Sequence, residues 1–219
     1  MGSNSRAAVA GSKLAAVLAV MLAASTASAG GGAIFVPPAE VDVGVGAPLG
    51  ASAQYRSSTE ILAGVHWASL YWHPTRFDIG LGYVGSFRQL DPTSALRSTM
   101  PDSSANLLSL NGGYISMAYA IESHKHWRTW LGARVESMEA SRAEDSFAVL
   151  GEAVRLDGEV FTTGAAAAGG SGGGALVAGA FSIGVYVEAS HRDLPAELGP
   201  NALTAGVSMR IPFILVAAN

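Results

Sequence analysis

The chain has 219 residues and a net charge of −4; hydrophobic residues make up 49% of it, charged residues only 14%, and cysteine is absent. Without cysteine there can be no disulfide bond, no thiol catalysis and no lipid-modified N-terminal cysteine. The mild negative charge and the lack of a basic stripe argue against nucleic acid as a partner.

Residues 1–29 have the features of a cleaved secretory signal peptide. Arg6 and Lys13 supply the positive segment, Leu14–Ala24 the short apolar segment, and Ala27–Ala29 the small-residue cleavage site. We therefore expect export across the inner membrane.

The segment 30–40 contains Pro37 and Pro38 and is predicted to be an extended periplasmic lead-in, because proline cannot donate to a strand ladder. Beyond residue 29 no run of about 18 apolar residues occurs, so a helical membrane span is not expected.

From residue 41 onwards, apolar residues alternate with small or polar ones, which is the period of a β-strand with two different faces. The clearest example is Phe77–Arg88, in which Phe77, Ile79 and Leu81 share one face and Asp78 lies on the other. The aromatic residues Phe77 and Phe87 are separated by about 25 Å along the axis of a tilted barrel strand. This distance is typical of the apolar band of a transmembrane barrel.

The same alternation predicts eight strands. Their approximate bounds are 41–56, 60–72, 77–88, 106–122, 126–141, 158–168, 177–190 and 201–213. Within the fourth strand the apolar face changes sides at 111–113, which predicts a β-bulge.

The connections between these strands differ in length. The segments 89–105 and 142–157 are long and polar, that at 191–200 is of medium length, and those at 73–75 and 169–174 are short. This asymmetry and the even strand count are typical of outer-membrane barrels with short periplasmic turns. A soluble β-sandwich also alternates, but its outward face would be rich in Lys, Glu and Thr.

The predicted fold is therefore an all-β, eight-stranded, antiparallel up-and-down transmembrane β-barrel. It spans residues 41–213, and residues 214–219 form a C-terminal tail.

The last predicted strand carries a recognisable pattern: a polar residue, a glycine two positions later, then alternating apolar residues that end on an aromatic one. The residues are Thr204, Gly206, Met209, Ile211 and Phe213. This pattern resembles the closing-strand signal of outer-membrane β-barrels, and the chain resembles the small barrels of the OmpA/OmpX type. The resemblance implies location in the outer membrane, with its lipid and the barrel-assembly machinery as partners.

An eight-stranded barrel has a lumen just wide enough for side chains to fill, so inward charges should pair with each other. The predicted lumen charge network comprises Arg56, Glu60, Asp78, Arg88, Arg128, Arg134, Glu136, Glu188 and Arg210. Outward aromatic residues are predicted to contact lipid as membrane girdles. They are Trp67, Tyr71, Phe77, Tyr83, Phe87, Tyr119 and Trp127.

No catalytic residue, metal or cofactor is predicted. His66 is inward and near Glu60, but no serine is obviously beside it, and the neighbours Ser190 and His191 should point to opposite faces. The pair His124 and His126 offers only two metal ligands.

The leading functional hypothesis is a non-enzymatic, monomeric barrel for envelope structure or surface contact through its extracellular loops, with a surface ligand that the sequence does not identify. A narrow channel or transporter for small solutes is the alternative. A membrane-embedded lipid hydrolase or acyltransferase ranks third, for want of a triad.

Overall fold

The computed structural model describes residues 33–36, 39–50, 53, 55–66, 76–90, 107–124, 126–142, 145–161, 167–169, 175–178, 182–211 and 214–217. The strands in this part of the chain are β1 (Ala33–Val36), β2 (Ala39–Pro48), β3 (Tyr55–His66), β4 (Phe77–Leu90), β5 (Leu107–Ser123), β6 (Trp127–Arg142), β7 (Asp145–Phe161), β8 (Ala167–Gly169), β9 (Ala175–Ala178), β10 (Ser182–Arg192), β11 (Asn201–Ile211) and β12 (Ile214–Ala217).

Eight of these strands close into an antiparallel barrel in the order β10-β11-β2-β3-β4-β5-β6-β7. The fold class predicted from the alternation is confirmed. Because the strand number is even, β2 begins and β11 finishes at the same end, which we name the terminal end. The opposite end carries the connections 49–54, 91–106, 143–144 and 193–200 and is named the loop end.

The outer face of the barrel is apolar and exposed. Val45, Ile115 and Val185 have exposed fractions of 63%, 61% and 65%, and they belong to an exposed apolar surface far larger than water-soluble monomers usually carry. On β4, Phe77, Ile79 and Leu81 are exposed while Asp78 is buried, as the alternation predicted. In the middle of its height, the barrel is therefore apolar on the outside and polar on the inside, which is the reverse of a water-soluble protein.

The predicted β-bulge at 111–113 is wrong. The pairing of β4 with β5 runs without interruption from Phe77↔Tyr119 to Gln89↔Leu107. Leu108 and Leu110 are fully buried because they point into the loop end of the barrel. The apolar face changes sides there because the strand leaves the apolar band, not because the chain gains a residue.

The predicted loop at 142–157 is also wrong. β6 pairs with β7 as far as Arg142↔Asp145, so a two-residue connection joins two long strands. The charged residues that suggested a loop lie on the strand itself, and Arg155 and Asp157 point into the lumen, where they have ion-pair partners.

A hydrophobic cluster closes the loop end from inside. Its members come from five barrel strands and from the segment 193–200, which contains the 3-10 helix Ala196–Leu198. They are Tyr55, Leu62, Val84, Leu90, Leu108, Leu110, Tyr114, Met138, Ala140, Val149, Leu194 and Leu198. We name this group the apolar cap.

Four short strands form a second sheet in the order β1-β12-β9-β8, next to the terminal end in sequence. The pair Val36↔Ile214 keeps the register of the barrel pair Ala39↔Ile211. Ile214↔Ala178 likewise keeps the register of Arg210↔Ser182. Residues 33–36 and 214–217, predicted as parts of a lead-in and a tail, are thus paired strands. The predicted signal peptide 1–29 lies outside the described residues.

The orientation of β6 yields a matched test of the two faces. Leu131→Arg should impair assembly, because an Arg that faces lipid near mid-bilayer costs about 2–4 kcal/mol. Gly132→Ser, one residue on, should assemble like the wild type, since a Cβ there makes only ordinary contacts of 3.4 Å with Ala118 and Met117. The fraction of folded protein in membrane fractions is measured by comparing gel migration of heated and unheated samples, because a folded barrel migrates differently until it is heated. Normal assembly of the arginine variant together with failure of the serine variant would reverse the assigned faces.

Candidate functional site: the barrel lumen

The lumen contains two groups of buried charged side chains. We name Glu60, Arg134, Glu136, Glu188 and Arg192 the loop-end network. The terminal-end network comprises Glu40, Asp42, His66, Asp78, Arg155, Asp157, Glu159 and Arg210.

Arg134 is the centre of the loop-end network. Its Nη2 donates to Glu60 Oε1 at 2.9 Å and to Glu188 Oε1 at 2.7 Å, and its Nε donates to Glu136 Oε1 at 2.8 Å. Arg192 completes the ring: its Nη2 donates to Glu60 Oε2 at 2.7 Å and its Nε to Glu136 Oε2 at 2.9 Å. Two guanidinium groups thus hold three carboxylates in a space closed to solvent.

Arg88, also predicted for the network, is fully buried and has a different role. Its Nη1 donates to the carbonyl oxygens of Leu198 at 2.8 Å and Gly199 at 2.6 Å, and its guanidinium lies 4.9 Å from the centre of the Tyr55 ring. Gly199 has φ of +68°, a conformation that glycine adopts at little cost. Arg88 therefore fixes the segment 193–200 across the mouth of the barrel.

Arg155 and Arg210 organise the terminal-end network. Arg155 pairs with Asp42 and with Asp157, and its Nη2 lies 3.4 Å from Glu40 Oε1. Arg210 Nε donates to Glu40 Oε2 at 2.8 Å, and its Nη2 lies 3.5 Å from Asp78 Oδ2.

Glu159 closes the same network towards the terminal end. Its carboxylate accepts hydrogen bonds from Trp130 Nε1 at 2.6 Å and Ser182 Oγ at 2.9 Å. Arg210 Nη1 approaches it to 3.8 Å.

His66 joins the same network. Its Nδ1 lies 2.8 Å from Asp78 Oδ2, and its Nε2 lies 3.4 Å from Tyr114 Oη and 3.5 Å from Glu40 Oε2. An acid and a histidine are thus in contact, but the third partner is a tyrosine and not a nucleophilic serine. Ser190 is buried whereas its neighbour His191 is exposed and pairs with Asn201 at 2.7 Å. These groups form no hydrolytic triad.

Glycines in the wall make room for the large aromatic side chains of the lumen. A Cβ on Gly44 would collide with Tyr186 Oη, and one on Gly64 would collide with Tyr114 Oη. Tyr186 in turn lies against the guanidinium of Arg155, 3.9 Å from ring centre to Cζ. Small wall residues opposite large ones are how a narrow barrel fills its interior. Part of the high glycine content therefore serves packing.

A cavity of about 50 Å³ remains inside the barrel, between the two networks. Its lining combines the charged residues Asp42, Asp78, Glu188 and Arg210 with Tyr114, Leu62 and Trp130. A volume of this size holds a few water molecules or one small ion. Among the described residues no group of three or more His, Cys, Asp or Glu side chains is arranged to hold a metal directly.

Two predicted network residues lie elsewhere. Arg56 is exposed because the register shifts between Tyr55 and Ser58, which turns Tyr55 inward and Arg56 outward. The prediction that it faces the lumen is wrong. Arg128 is half-buried near the terminal end, over the rings of Trp130 at 5.6 Å and Phe161 at 4.7 Å.

The predicted girdle residues are partly described. Phe77, Tyr119 and Trp127 are exposed, as lipid-facing side chains should be. Tyr83 is half-buried, and its hydroxyl donates to Asn111 Oδ1 at 2.5 Å. A tyrosine whose hydroxyl meets polar groups marks the interface between lipid and water. Phe87 is half-buried beyond this level, and Trp67 and Tyr71 lie outside the described residues.

The predicted assembly signal is on β11. Thr204 is buried, Gly206 is half-buried and Met209 is exposed on the lipid side, while Ile211 is the last residue of the strand. Phe213 lies outside the described residues. The role of these residues in assembly stays a prediction.

Sequence reasoning missed much of the terminal-end network and one member of the loop-end network. Glu40 was assigned to the lead-in, Arg155 and Asp157 to a loop, and Arg192 to the connection after the seventh predicted strand. The alternation itself could have found them, since Val154 and Leu156 flank Arg155 in the same way that Ile79 and Leu81 flank Gly80.

A closed barrel with an apolar exterior and a charged, filled lumen defines the class of transmembrane β-barrel proteins. In the described part of the chain, none of the helical segments has the length and apolarity needed to span a membrane.

No family model and no curated protein matches the chain. Among solved structures it is similar to the crystal structure of Neisserial surface protein A. The two chains are 12% identical, the match covers 82% of this chain and 98% of that one, and the TM-score is 0.46.

The loop-end network predicts that replacing one of its charged residues by an uncharged one will strongly lower the stability of the barrel. Arg134→Met should lower the free energy of unfolding by about 3–5 kcal/mol, because three buried carboxylates lose a shared cation. The double variant Arg134→Met/Glu188→Gln should lose less, since it removes one of the uncompensated charges. Urea-induced unfolding in lipid vesicles measures both. Equal stability of wild type and Arg134→Met would contradict the proposed importance of the network.

Proposed function

We propose that the protein is a closed, non-enzymatic outer-membrane barrel that contributes to envelope structure and makes surface contacts through its loop end. The observation that carries this proposal is the filled lumen. The half of the barrel next to the loop end is occupied by side chains that are at most 1% exposed, among them Arg88, Arg192, Leu108 and Glu188. Solute could pass through the lumen only if these packed side chains moved apart. The outer surface at the loop end is therefore the better candidate for the functional part of the protein.

The outer-membrane location is supported by the exposed apolar exterior and by the sequence features of residues 1–29. Both termini of the barrel lie at one end, and we assign that end to the periplasm, as in bacterial barrels of even strand number. The loop end then faces outwards. This assignment also accounts for the polar outer residues near that end, including Ser109, Asn111 and Glu139.

The loop-end part of β4–β7 rises as a wall above the apolar band. Several of its outer side chains are polar, although Leu107 and Leu150 are exposed there too. Asn111 links Tyr83 to Ser109 through hydrogen bonds of 2.5 Å each. Most of its large inner side chains, including Leu90, Leu108, Leu110 and Met138, belong to the apolar cap, so the wall packs against a hydrophobic cluster from within. The connection 91–106 extends from this wall, and it is the segment in which we place surface contact.

The topology predicts which insertions an antibody can reach on intact cells. An epitope inserted between Ala143 and Glu144, at the tip of the β6–β7 hairpin, should be detected without permeabilisation. The same epitope inserted after His124, in the β5–β6 connection at the terminal end, should be detected only after the outer membrane is opened. The reverse pattern would invert the barrel, and detection of neither insertion in folded protein would reject an outer-membrane location.

Surface contact is tested by exchanging the loop without changing the lumen. The test uses a strain from which the gene has been deleted and in which the wild-type protein restores adhesion to surfaces. A variant with residues 92–104 replaced by a Gly/Ser linker of equal length should fold in this strain but should not restore adhesion. In planar bilayers, wild type and variant should both lack stepwise conductance, because the lumen is unchanged. Wild-type adhesion by the linker variant would contradict surface contact through this loop. A steady conductance of the wild type would favour the channel alternative.

A further inference from the structure

The ring of Tyr83 lies flat on the outer face of the barrel, at the height where the apolar band ends. Gly85 is the next residue on the same face, and it is buried although it faces outwards. A Cβ at Gly85 would meet Tyr83 Oη at 2.9 Å and Tyr83 Cε1 at 3.2 Å, so the ring covers this glycine. The Tyr83 hydroxyl also donates to Asn111 Oδ1. One face of the ring therefore lies against the sheet, and the other face is turned outwards.

A shallow groove runs beside this ring along β5. Its floor is Gly113, which pairs with Tyr83 of β4 on one side and with Ser137 of β6 on the other. Tyr83 and Ser137 are therefore two strand spacings apart, which is about 10 Å. A Cβ at Gly113 would approach Gly82 O at 3.6 Å, an ordinary contact, so the floor is open. We name this feature the Gly113 groove.

The two ends of the Gly113 groove differ in polarity. Towards the terminal end its floor continues at Ile115, which is exposed in the apolar band. Towards the loop end it meets Asn111 and Glu139, which pair across β5 and β6. An amphipathic molecule whose acyl chains lie against Ile115 therefore places its headgroup between Tyr83 and Ser137.

The polar groups around the groove match hydroxyl groups better than phosphate. Asn111 uses one amide hydrogen for Ser109 Oγ and one lone pair for Tyr83, so it retains one donor and one acceptor. Glu139 is the charged residue on the outer face of the described strands β4–β6 at this height, and no lysine or arginine accompanies it there. A phosphate would face this carboxylate without a cation, whereas a sugar ring presents an apolar C–H face and hydroxyl groups at its edge.

We propose that the Gly113 groove binds the sugar headgroup of a glycolipid in the outer leaflet of the surrounding membrane. This assignment rests on the outer-membrane location proposed above. One face of the sugar stacks on Tyr83, because the electron-rich face of the aromatic ring attracts C–H groups. The hydroxyl groups of the sugar bond to Asn111 and Ser137, and the acyl chains follow Ile115 into the apolar band. The barrel thus selects one class of lipid as a neighbour on this side of its wall.

The groove predicts a preference for glycolipid that depends on its open floor. The purified full-length barrel in detergent micelles is mixed with diglucosyl diacylglycerol and phosphatidylglycerol of the same acyl chains, and native mass spectrometry counts each bound lipid. The wild type should retain more of the glycolipid. Gly113→Leu should remove this preference, because the new side chain occupies the groove while the space at its Cβ permits folding.

Two variants of Tyr83 test the stacking face separately. Tyr83→Leu should weaken glycolipid binding about 2- to 10-fold, since it removes the aromatic face. Tyr83→Phe should keep most of the binding, because it retains the ring and loses only the hydroxyl.

Gly158→Leu is the matched control for added apolar surface. Gly158 lies on the outer face of β7, between the exposed Leu156 and Val160, and a Cβ there would meet nothing within 4 Å. This variant should keep the wild-type preference. An equal loss of preference in Gly158→Leu would overturn the proposal, because the effect would then come from the added side chain and not from the groove.

Three further results would also overturn it. The first is equal retention of both lipids by the wild type, and the second is an unchanged preference in both Gly113→Leu and Tyr83→Leu. The third is tighter binding of phosphatidylethanolamine that Glu139→Gln abolishes, because a cationic amine would then occupy the groove. These measurements use purified protein, so their outcome is independent of the epitope and adhesion tests of the proposed function.

Discussion

The pairing of charges inside a space enclosed by lipid is the constraint on which the rest of this structure depends. Arg134 joins Glu60 of β3, Glu136 of β6 and Glu188 of β10. These three strands are not neighbours in the barrel, so one guanidinium connects three separate parts of the wall. The strand register must place all four groups at the same height, because a displaced carboxylate would remain buried without a cation. The network thus specifies the register as well as filling the lumen.

The second organising feature is an exchange of polarity between the two faces of a strand along its length, which is clearest in β6. Within the apolar band, β6 presents Leu131 and Val135 to the outside and Arg134 to the inside. Towards the loop end the same strand presents Glu139 to the outside, while Met138 and Ala140 join the apolar cap. Between Leu131 and Ala140 of β6 the alternation does not break, but the solvent on the outside changes from lipid to water. The inside therefore changes from charged to apolar, and the barrel combines a membrane segment with a water-exposed segment around one continuous sheet.

This exchange explains what could be predicted from the sequence and what could not. The period of two in Phe77–Arg88 identified the strands, their lipid-facing residues and the closed barrel, because a buried or lipid-facing side must repeat every second residue. The same rule failed at residues 111–113 and 142–157. There, apolar residues on the inner side looked like a bulge, and charged residues on the inner side looked like a loop. The alternation of residues can be read from a short stretch of sequence. The position along a strand at which the surroundings change from lipid to water depends on the whole assembled barrel.

Individual charge partners were still harder to predict. The sequence placed Glu188 and Arg134 in the lumen, but it could not show that Arg192 lies between Glu60 and Glu136, since that depends on the stagger of three strands. Arg56 shows the opposite error, because one irregularity in β3 moved it to the outer face. Local pattern fixes the face of a residue only as far as the register is regular.

Arg88 connects the charged lumen to the apolar cap. Among the described residues it has no carboxylate within ion-pairing distance, and its hydrogen bonds go to the carbonyl oxygens of Leu198 and Gly199. If the segment 193–200 moved away, Arg88 would lose these acceptors while it stayed buried, and Leu194 and Leu198 would leave the cap. Both losses oppose opening, and they arise from the same short segment. The cap therefore stays closed because a buried charge and a hydrophobic cluster depend on the same backbone, which is why the filled lumen can be a stable state of so narrow a barrel.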